Sequence, residues 1–259
     1  MAKVVLERLE GVGVITITRP EKLNSLTLSM YDQLGEAFAE VAEDPGIGVA
    51  ILTGSGTRAF CVGADLGESI PALTEGRFDI SRWDAAHQKH SRLDKPVIAA
   101  VNGLCLGGGF EIVLSTDIRI ASEDASFGLP ETGVGVVPAG GTLVRLVRQI
   151  PYAFAMDLMM RGTRIDARTA ERYGIVNQVV PATDLLDVAW DIAGDLLTRS
   201  RTAVATVKAA VRELIDLPYD EAFRREALLG QGAFTSDDAR EGLTAFAERR
   251  APVFPSQQA

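Results

Sequence analysis

Two hydrophobic periods run along this chain, and the balance between them shifts from one end to the other. Residues 4–9 and Val12–Thr18 alternate apolar and polar positions around Gly11, which predicts a β-hairpin. Arg19-Pro20 ends the second run, because proline cannot donate to a strand ladder. Leu28, Tyr31, Leu34, Phe38 and Val41 then recur at helical spacing, with Thr27 or Ser29 as the N-cap and Asp44-Pro45-Gly46 as the stop. Short apolar runs at 49–53, 97–101 and 117–121 read as strands, separated by a loop-rich stretch at 54–79, a polar helix at 80–92 and a helical start at 110–114.

Beyond Pro138 the helical period takes over. Segments 143–150, 153–160, 167–173, 185–197, 203–215, 219–230 and 238–249 all carry it, and only 175–180 reads as a strand. The pattern predicts an α/β fold, helices on sheets, over residues 1–199, followed by an all-helical region at 200–259.

Composition narrows the function. The 259 residues carry a formal net charge of −9, which argues against general phosphate-backbone binding. Two cysteines give no disulfide framework and fit a reducing compartment. No signal-peptide pattern and no apolar run of about 18 residues occurs, so neither secretion nor membrane insertion is expected, and the cytoplasm is the expected location.

Three segments carry candidate chemistry. Arg58 to Leu66 places small residues, Gly63 and Ala64, where a strand should turn into a helix, and backbone N–H groups at such a turn can donate to an anion. Asn102 to Glu111 contains Gly107-Gly108-Gly109 just before a helix, so a ligand can lie against bare backbone, with Glu111 in the first helical turn. Neither the dinucleotide fingerprint in its proper order nor the phosphate loop is present. Phe127 to Pro138 sets Glu131 in an apolar Gly/Pro-punctuated loop, where a carboxylate is either exposed or desolvated with a raised pKa. Singly, each reads as well as a turn, a tight packing site or an exposed acid. Jointly, two sets of backbone donors and two carboxylates are what enolate chemistry on a thioester needs.

These same residues resemble the enoyl-CoA hydratase/isomerase (crotonase) superfamily, over essentially the whole chain. The matching segments begin at Arg19-Pro20-Glu21-Lys22-Leu23-Asn24, Ala59-Phe60-Cys61-Val62-Gly63-Ala64-Asp65-Leu66 and Lys95-Pro96-Val97-Ile98. They continue through Gly107-Gly108-Gly109-Phe110-Glu111, Phe127-Gly128-Leu129-Pro130-Glu131 and Asp238-Ala239-Arg240-Glu241-Gly242. The resemblance implies a spiral of ββα turns with a C-terminal helical region that builds homotrimers, often paired as hexamers. It implies an oxyanion hole from the N–H groups of Ala64 and Gly108, and Glu111 and Glu131 as the catalytic pair. Lys22, Ala64, Asp65, Leu66, Gly67 and Gly108 then fall at the CoA and substrate contacts. No separate cofactor or metal is implied, coenzyme A arriving as part of the substrate.

Retention of both glutamates favours reversible hydration of a 2-enoyl-CoA over double-bond isomerisation. One departure stands out: Pro138-Ala139-Gly140-Gly141-Thr142 carries its glycines one place from the usual hydratase pattern, and Leu93-Asp94-Lys95-Pro96 and the Ala247–Val253 stretch look closer to carnitinyl-CoA dehydratase-like members. A non-catalytic RNA-binding or scaffold member of the fold is the alternative of another class; the acidic balance and the two glutamates weigh against it. Asp84, His87 and His90, spaced i, i+3, i+6, read as a solvated helix face rather than a metal site. Cys61 and Cys105 read as small buried hydrophobes, and Trp83 and Trp190 as packing residues.

Overall fold

The computed structural model describes residues 2–258. Strands β1 (Lys3–Leu9) and β2 (Val12–Thr18) form the expected antiparallel hairpin. Helix α1 (Leu28–Glu43) follows, capped by Thr27, whose hydroxyl accepts from the Met30 N–H at 3.2 Å. It buries Tyr31, Leu34, Phe38 and Val41 of the apolar stripe read from the sequence, with Leu28 half-buried at its start. The chain then enters a repeating path. Strand β3 (Val49–Gly54) leads to β4 (Ala59–Cys61) and α2 (Ser69–Thr74). Next come β5 (Val97–Val101), β6 (Leu104–Leu106) and α3 (Gly108–Val113), then β7 (Ile118–Ser122) and β8 (Ser126–Gly128).

The first strand of each turn joins one sheet and the second joins another. The larger sheet runs β1-β2-β3-β5-β7-β10, and the smaller β4-β6-β8-β9, where β9 is Ile165–Asp166 and β10 is Gln178–Val180. Within each sheet, successive turns pair in parallel: β3 with β5 and β5 with β7, β4 with β6 and β6 with β8. This is a spiral of ββα turns, and it explains the unbroken apolar runs at 49–53 and 97–101. One face of the large sheet (Val49, Ile51, Ile98, Ala100, Ile120) packs on Leu185, Ala189 and Ala193. The other (Ala50, Leu52, Val97, Ala99, Val101) meets α1, α3 and the small sheet, so both faces must be apolar.

Helices α4 (Thr142–Gln149), α5 (Tyr152–Arg161), α6 (Ala167–Tyr173) and α7 (Leu185–Leu197) complete the core. The last three, α8 (Arg201–Leu214), α9 (Tyr219–Phe234) and α10 (Asp237–Glu248), form a layer of another kind. Neither α8 nor α9 has a buried residue, and Tyr219, Leu228, Phe234, Leu243 and Phe246 are all exposed. The layer is tied to the core by polar links, among them Lys208 to Asp117 at 2.7 Å and Arg212 to Asp94 at 2.7 Å.

The small sheet was not read from the sequence. Its strands are three residues or fewer in length, too short to display a period. The polar helix expected at 80–92 is also absent. Ile80–Trp83 makes a single tight turn and irregular turns follow, including Gln88 with a positive φ of 50°.

Candidate active site

The site is assembled from the exits of three parallel neighbours. The segments after β4, β6 and β8 hold Gly63-Ala64, Gly107-Gly108-Glu111 and Glu131, and the register of the small sheet brings them side by side. Ligands of open parallel sheets bind beyond the carboxyl ends of the strands for the same reason.

Gly63 and Gly108 touch backbone to backbone. A β-carbon on Gly63 would sit 2.8 Å from the Gly108 nitrogen, and one on Gly108 would lie 3.5 Å from the Gly63 Cα and 3.8 Å from the Ala64 nitrogen. Only residues without side chains allow this approach, and Gly63 also adopts a φ of +88°. Leu26 holds the first segment in place by a parallel bridge: it donates to Gly63 O at 2.8 Å and accepts from the Asp65 N–H at 2.8 Å. The N–H groups of Ala64 and Gly108 have no acceptor among the described residues, and Gly108 opens helix α3, where the dipole is positive. Two adjacent free donors make an anion-stabilising pair.

Glu111 lies in the first turn of α3 and is 5% exposed. Its Oε1 accepts from the Gly140 N–H at 2.6 Å and the Thr142 N–H at 3.4 Å. Burial pushes its pKa up, and the Thr142 and Gly140 hydrogen bonds pull it back part of the way. Glu131, in the tight turn Pro130–Val134, is half-buried rather than exposed. Its Oε1 lies 2.9 Å from where a Gly107 β-carbon would be, and its Oε2 is buried without a partner. Burial raises its pKa to about 7, and the neighbouring Glu111 adds to the rise.

The remaining predicted contacts lie around this centre. Lys22 is exposed in the turn Pro20–Lys22, just before the segment that pairs with Ala64. Leu66 is 75% exposed. Asp65 is spent internally. Its Oδ1 accepts from the N–H groups of Gly67 at 2.8 Å and Glu68 at 3.0 Å, and its Oδ2 takes Arg19 at 2.6 Å. Asp65 and the Gly67 N–H therefore brace the turn rather than offer polar contacts to a ligand. A hollow of about 230 Å³, lined by Pro20, Leu23, Asn24 and Arg58 among others, lies beside Lys22.

Three residues were misjudged from sequence. Tyr31, read only as part of a helix face, buries its hydroxyl without a partner, 2.7 Å from the Gly108 β-carbon position. It stacks on Trp83 at 4.3 Å between ring centroids. His87 was expected on a solvated face and is fully buried. Because 80–92 is not a regular helix, His87 turns inward, away from the other two: Asp84 pairs with Lys89 at 2.6 Å, and the exposed His90 lies 3.6 Å from Asp84. Gly140 was read only as part of a shifted motif. It places a position with no side chain between His87 and Glu111, where a β-carbon would lie 2.5 Å from His87 Nε2 and 2.7 Å from Glu111 Oε2. Among the described residues no group of three His, Cys, Asp or Glu side chains is placed to hold a metal. Cys61 and Cys105 are free and fully buried, and burial pushes the Cys61 thiol up to about 12, which makes it a poor nucleophile.

Known proteins resemble the chain over nearly its whole length. The family model described as enoyl-CoA hydratase/isomerase matches residues 7–257. A protein named enoyl-CoA hydratase from Mycobacterium tuberculosis is 40% identical over 258 residues, covering 98% of this chain and 96% of that one. A carnitinyl-CoA dehydratase from Escherichia coli is 39% identical over 257 residues, covering 96% and 97%. Among solved structures, an enoyl-CoA hydratase from Bacillus anthracis superposes with a TM-score of 0.91 at 34% identity, covering 98% of this chain and 99% of that one.

Proposed function

Since this chain belongs to the enoyl-CoA hydratase/isomerase family, we propose that it adds water reversibly to a 2-enoyl-CoA thioester. The observation that carries the proposal is the meeting of the unpartnered Ala64 and Gly108 N–H groups beside two desolvated carboxylates. The thioester oxygen rests between the two N–H groups. Water attacks Cβ, and the electrons of the double bond move to that oxygen as an enolate, which the preorganised donors stabilise. Glu111 takes the proton of the attacking water, and Glu131 delivers a proton to Cα. In the reverse direction the same groups exchange roles.

Coenzyme A enters as part of the substrate, with no further cofactor. Lys22 supplies a cation for its phosphates on an otherwise acidic protein, next to the hollow at Leu23 and Arg58. The bare apolar faces of α8 and α9 and the exposed Leu243 and Phe246 fit burial against other copies, as a homotrimer or a pair of trimers. Among the described residues no helix is long and apolar enough to cross a membrane, and two free buried thiols suit the cytoplasm.

A carnitinyl-CoA-type dehydratase is the second reading, supported by relatives of that name at 38–39% identity. Both readings are tested by following loss of the conjugated thioester absorbance across a panel of enoyl-CoA chain lengths, with carnitinyl-CoA run in the dehydration direction. Turnover of a simple 2-enoyl-CoA supports the first, and selective turnover of carnitinyl-CoA the second. No water addition to or removal from any member contradicts both.

A further inference from the structure

Arg145 of α4 has no part in the reaction as drawn so far, yet it carries a full charge into a half-buried position. Its guanidinium donates to two neutral groups, from Nη1 to the His87 carbonyl at 2.7 Å and from Nη2 to the Gln88 carbonyl at 2.9 Å. Among the described residues it has no carboxylate at ion-pair distance. Burial lowers its pKa, and the charge of Glu111 opposes that fall. A cation taken partly out of water without a partner is poorly screened, so a nearby anion feels its field strongly.

The anion in question is Glu111, because Arg145 lies against the loop that holds it. A β-carbon on Gly141 would come 2.6 Å from Arg145 Nη1, so the guanidinium sits close to this glycine. The residues on either side of Gly141 are the two that donate to Glu111 Oε1, Gly140 at 2.6 Å and Thr142 at 3.4 Å. Thr142 opens α4, so the positive end of that helix and its Arg145 act on the same carboxylate. Through the His87 and Gln88 carbonyls the same side chain also ties this loop to the segment beside it.

The other titratable groups around Glu111 are cancelled, neutral or turned to other work. Burial raises the Glu111 pKa and Lys89 is among the groups that lower it, but the Lys89 ammonium pairs with Asp84 at 2.6 Å. Burial holds His87 neutral, with its pKa lowered to about 4. Burial also keeps the Tyr31 hydroxyl and the Cys61 thiol protonated. Arg119 lies beyond the far end of α3, donating to the Leu114 and Thr116 carbonyls. Glu131 is the neighbouring acid, and no cation is among the groups that act on it. The carboxylate pair therefore has an uncompensated cation on the Glu111 side only.

We propose that Arg145 is the positioning residue that assigns the proton shared by the two glutamates: its charge keeps Glu111 ionised, so the proton resides on Glu131. The singly protonated enzyme then holds its base and its acid on the sides that hydration needs. Without the charge, the proton divides between the two groups, and part of the enzyme has base and acid exchanged. Arg145 makes and breaks no bond in this role. It acts through Glu111 by charge, and through the loop at 140–142 by holding the donors in place.

This inference rests on the hydration reading, and two variants with two readouts separate them. Lys and Gln at 145 can each still donate to the neighbouring carbonyls, but only Lys keeps the charge. Hydration of a 2-enoyl-CoA and solvent deuterium exchange at Cα of a saturated acyl-CoA are followed against pH for wild type, Arg145→Lys and Arg145→Gln. Hydration needs Glu111 ionised, whereas exchange needs Glu131 ionised to take the Cα proton. In Arg145→Gln the acid limb of hydration kcat/KM should move up by as much as about one pH unit, a fall of up to about tenfold on that side, while exchange near neutrality rises a few-fold. Arg145→Lys should keep the wild-type limb and the wild-type ratio of the two rates. A merely structural loss would lower both reactions together. Coincident limbs in the two variants, or exchange that falls in step with hydration, overturns the role of Arg145. If Arg145→Gln fails to fold, Arg145→Lys decides alone: an unshifted limb supports the inference and a shifted one overturns it. A wild-type chain that exchanges Cα hydrogens but adds no water at any pH overturns the hydration reading, and equal exchange by the two variants would then overturn this inference separately.

Discussion

Glu111 and Glu131 are both desolvated carboxylates with raised pKa values, but the protein houses them differently. Glu111 sits on a helix and accepts two backbone N–H groups on one oxygen. Glu131 sits in a tight turn, with one oxygen against Gly107 and the other lacking any donor. Hydrogen bonds favour the ionised form, and desolvation without donors favours the neutral form. The pair therefore shares one proton near neutrality, and Glu131, whose Oε2 is buried without a donor, is the place for it. The lesson is that identical side chains become a base and an acid through what their oxygens touch, and chain position matters only by setting those contacts.

The largest effect should come from destroying what both niches share. Gly108→Val drives side-chain carbon into the Tyr31 hydroxyl and the space in front of the Ala64 N–H, so turnover should fall by at least about a thousandfold while circular dichroism stays native. Unchanged turnover would remove the oxyanion hole from the account.

Next come the carboxylates themselves. Glu111→Gln and Glu131→Gln should each lower kcat by about a hundredfold or more with a modest change in KM, because coenzyme A is held elsewhere. The double variant should lose far less than the product of the two, since both groups serve one transition state. A single variant with near-native kcat breaks the pairing, and if the dispensable group is Glu111, one-carboxylate isomerisation becomes the better reading.

The pH dependence is subtler. The active free enzyme carries one proton on the pair, so kcat/KM should decline on the alkaline side as that proton is lost, with a limb governed by the group near 7. The limb must be the same for hydration and dehydration, because both begin from the same singly protonated enzyme. Rate profiles in the two directions check this, and an alkaline limb beyond pH 9 would place the proton elsewhere.

The smallest effect concerns stability. Glu131 is raised to about 7 from an ordinary 4.5, so between those values the folded state keeps a proton that the unfolded chain releases. Stability contributed by neutral Glu131 is present below 4.5 and is lost as pH rises through 7, by at most about 3 kcal/mol. Glu131→Gln should therefore melt a few degrees above wild type at pH 8 and level with it at pH 4. Glu111→Gln should gain less, since its amide oxygen accepts from the Gly140 and Thr142 N–H groups more weakly than the carboxylate does. Differential scanning fluorimetry at both pH values distinguishes them.

Much of this was legible in the chain. The hairpin, α1, the helical second half and the segments bearing Ala64, Gly108, Glu111 and Glu131 announce themselves by period or by motif. What stayed hidden depends on contacts between distant segments. The strands of the small sheet are too short for any period, and their role is to align three loop exits. Tyr31 carries the spacing of any core residue, and nothing local says that its hydroxyl reaches Gly108. His87 looked solvated because its neighbours are polar; Gly35 and Arg145, from other parts of the chain, help to enclose the segment that carries it.

The division of labour itself is tested most directly by measuring Cα hydrogen–deuterium exchange of a saturated acyl-CoA beside hydration of the matching 2-enoyl-CoA in the two glutamine variants. Glu111→Gln should lose hydration yet keep exchange within a few-fold of wild type, because Glu131 and the oxyanion hole are intact, while Glu131→Gln should lose both. Exchange that survives in Glu131→Gln but disappears in Glu111→Gln would reverse the assignment and contradict the account.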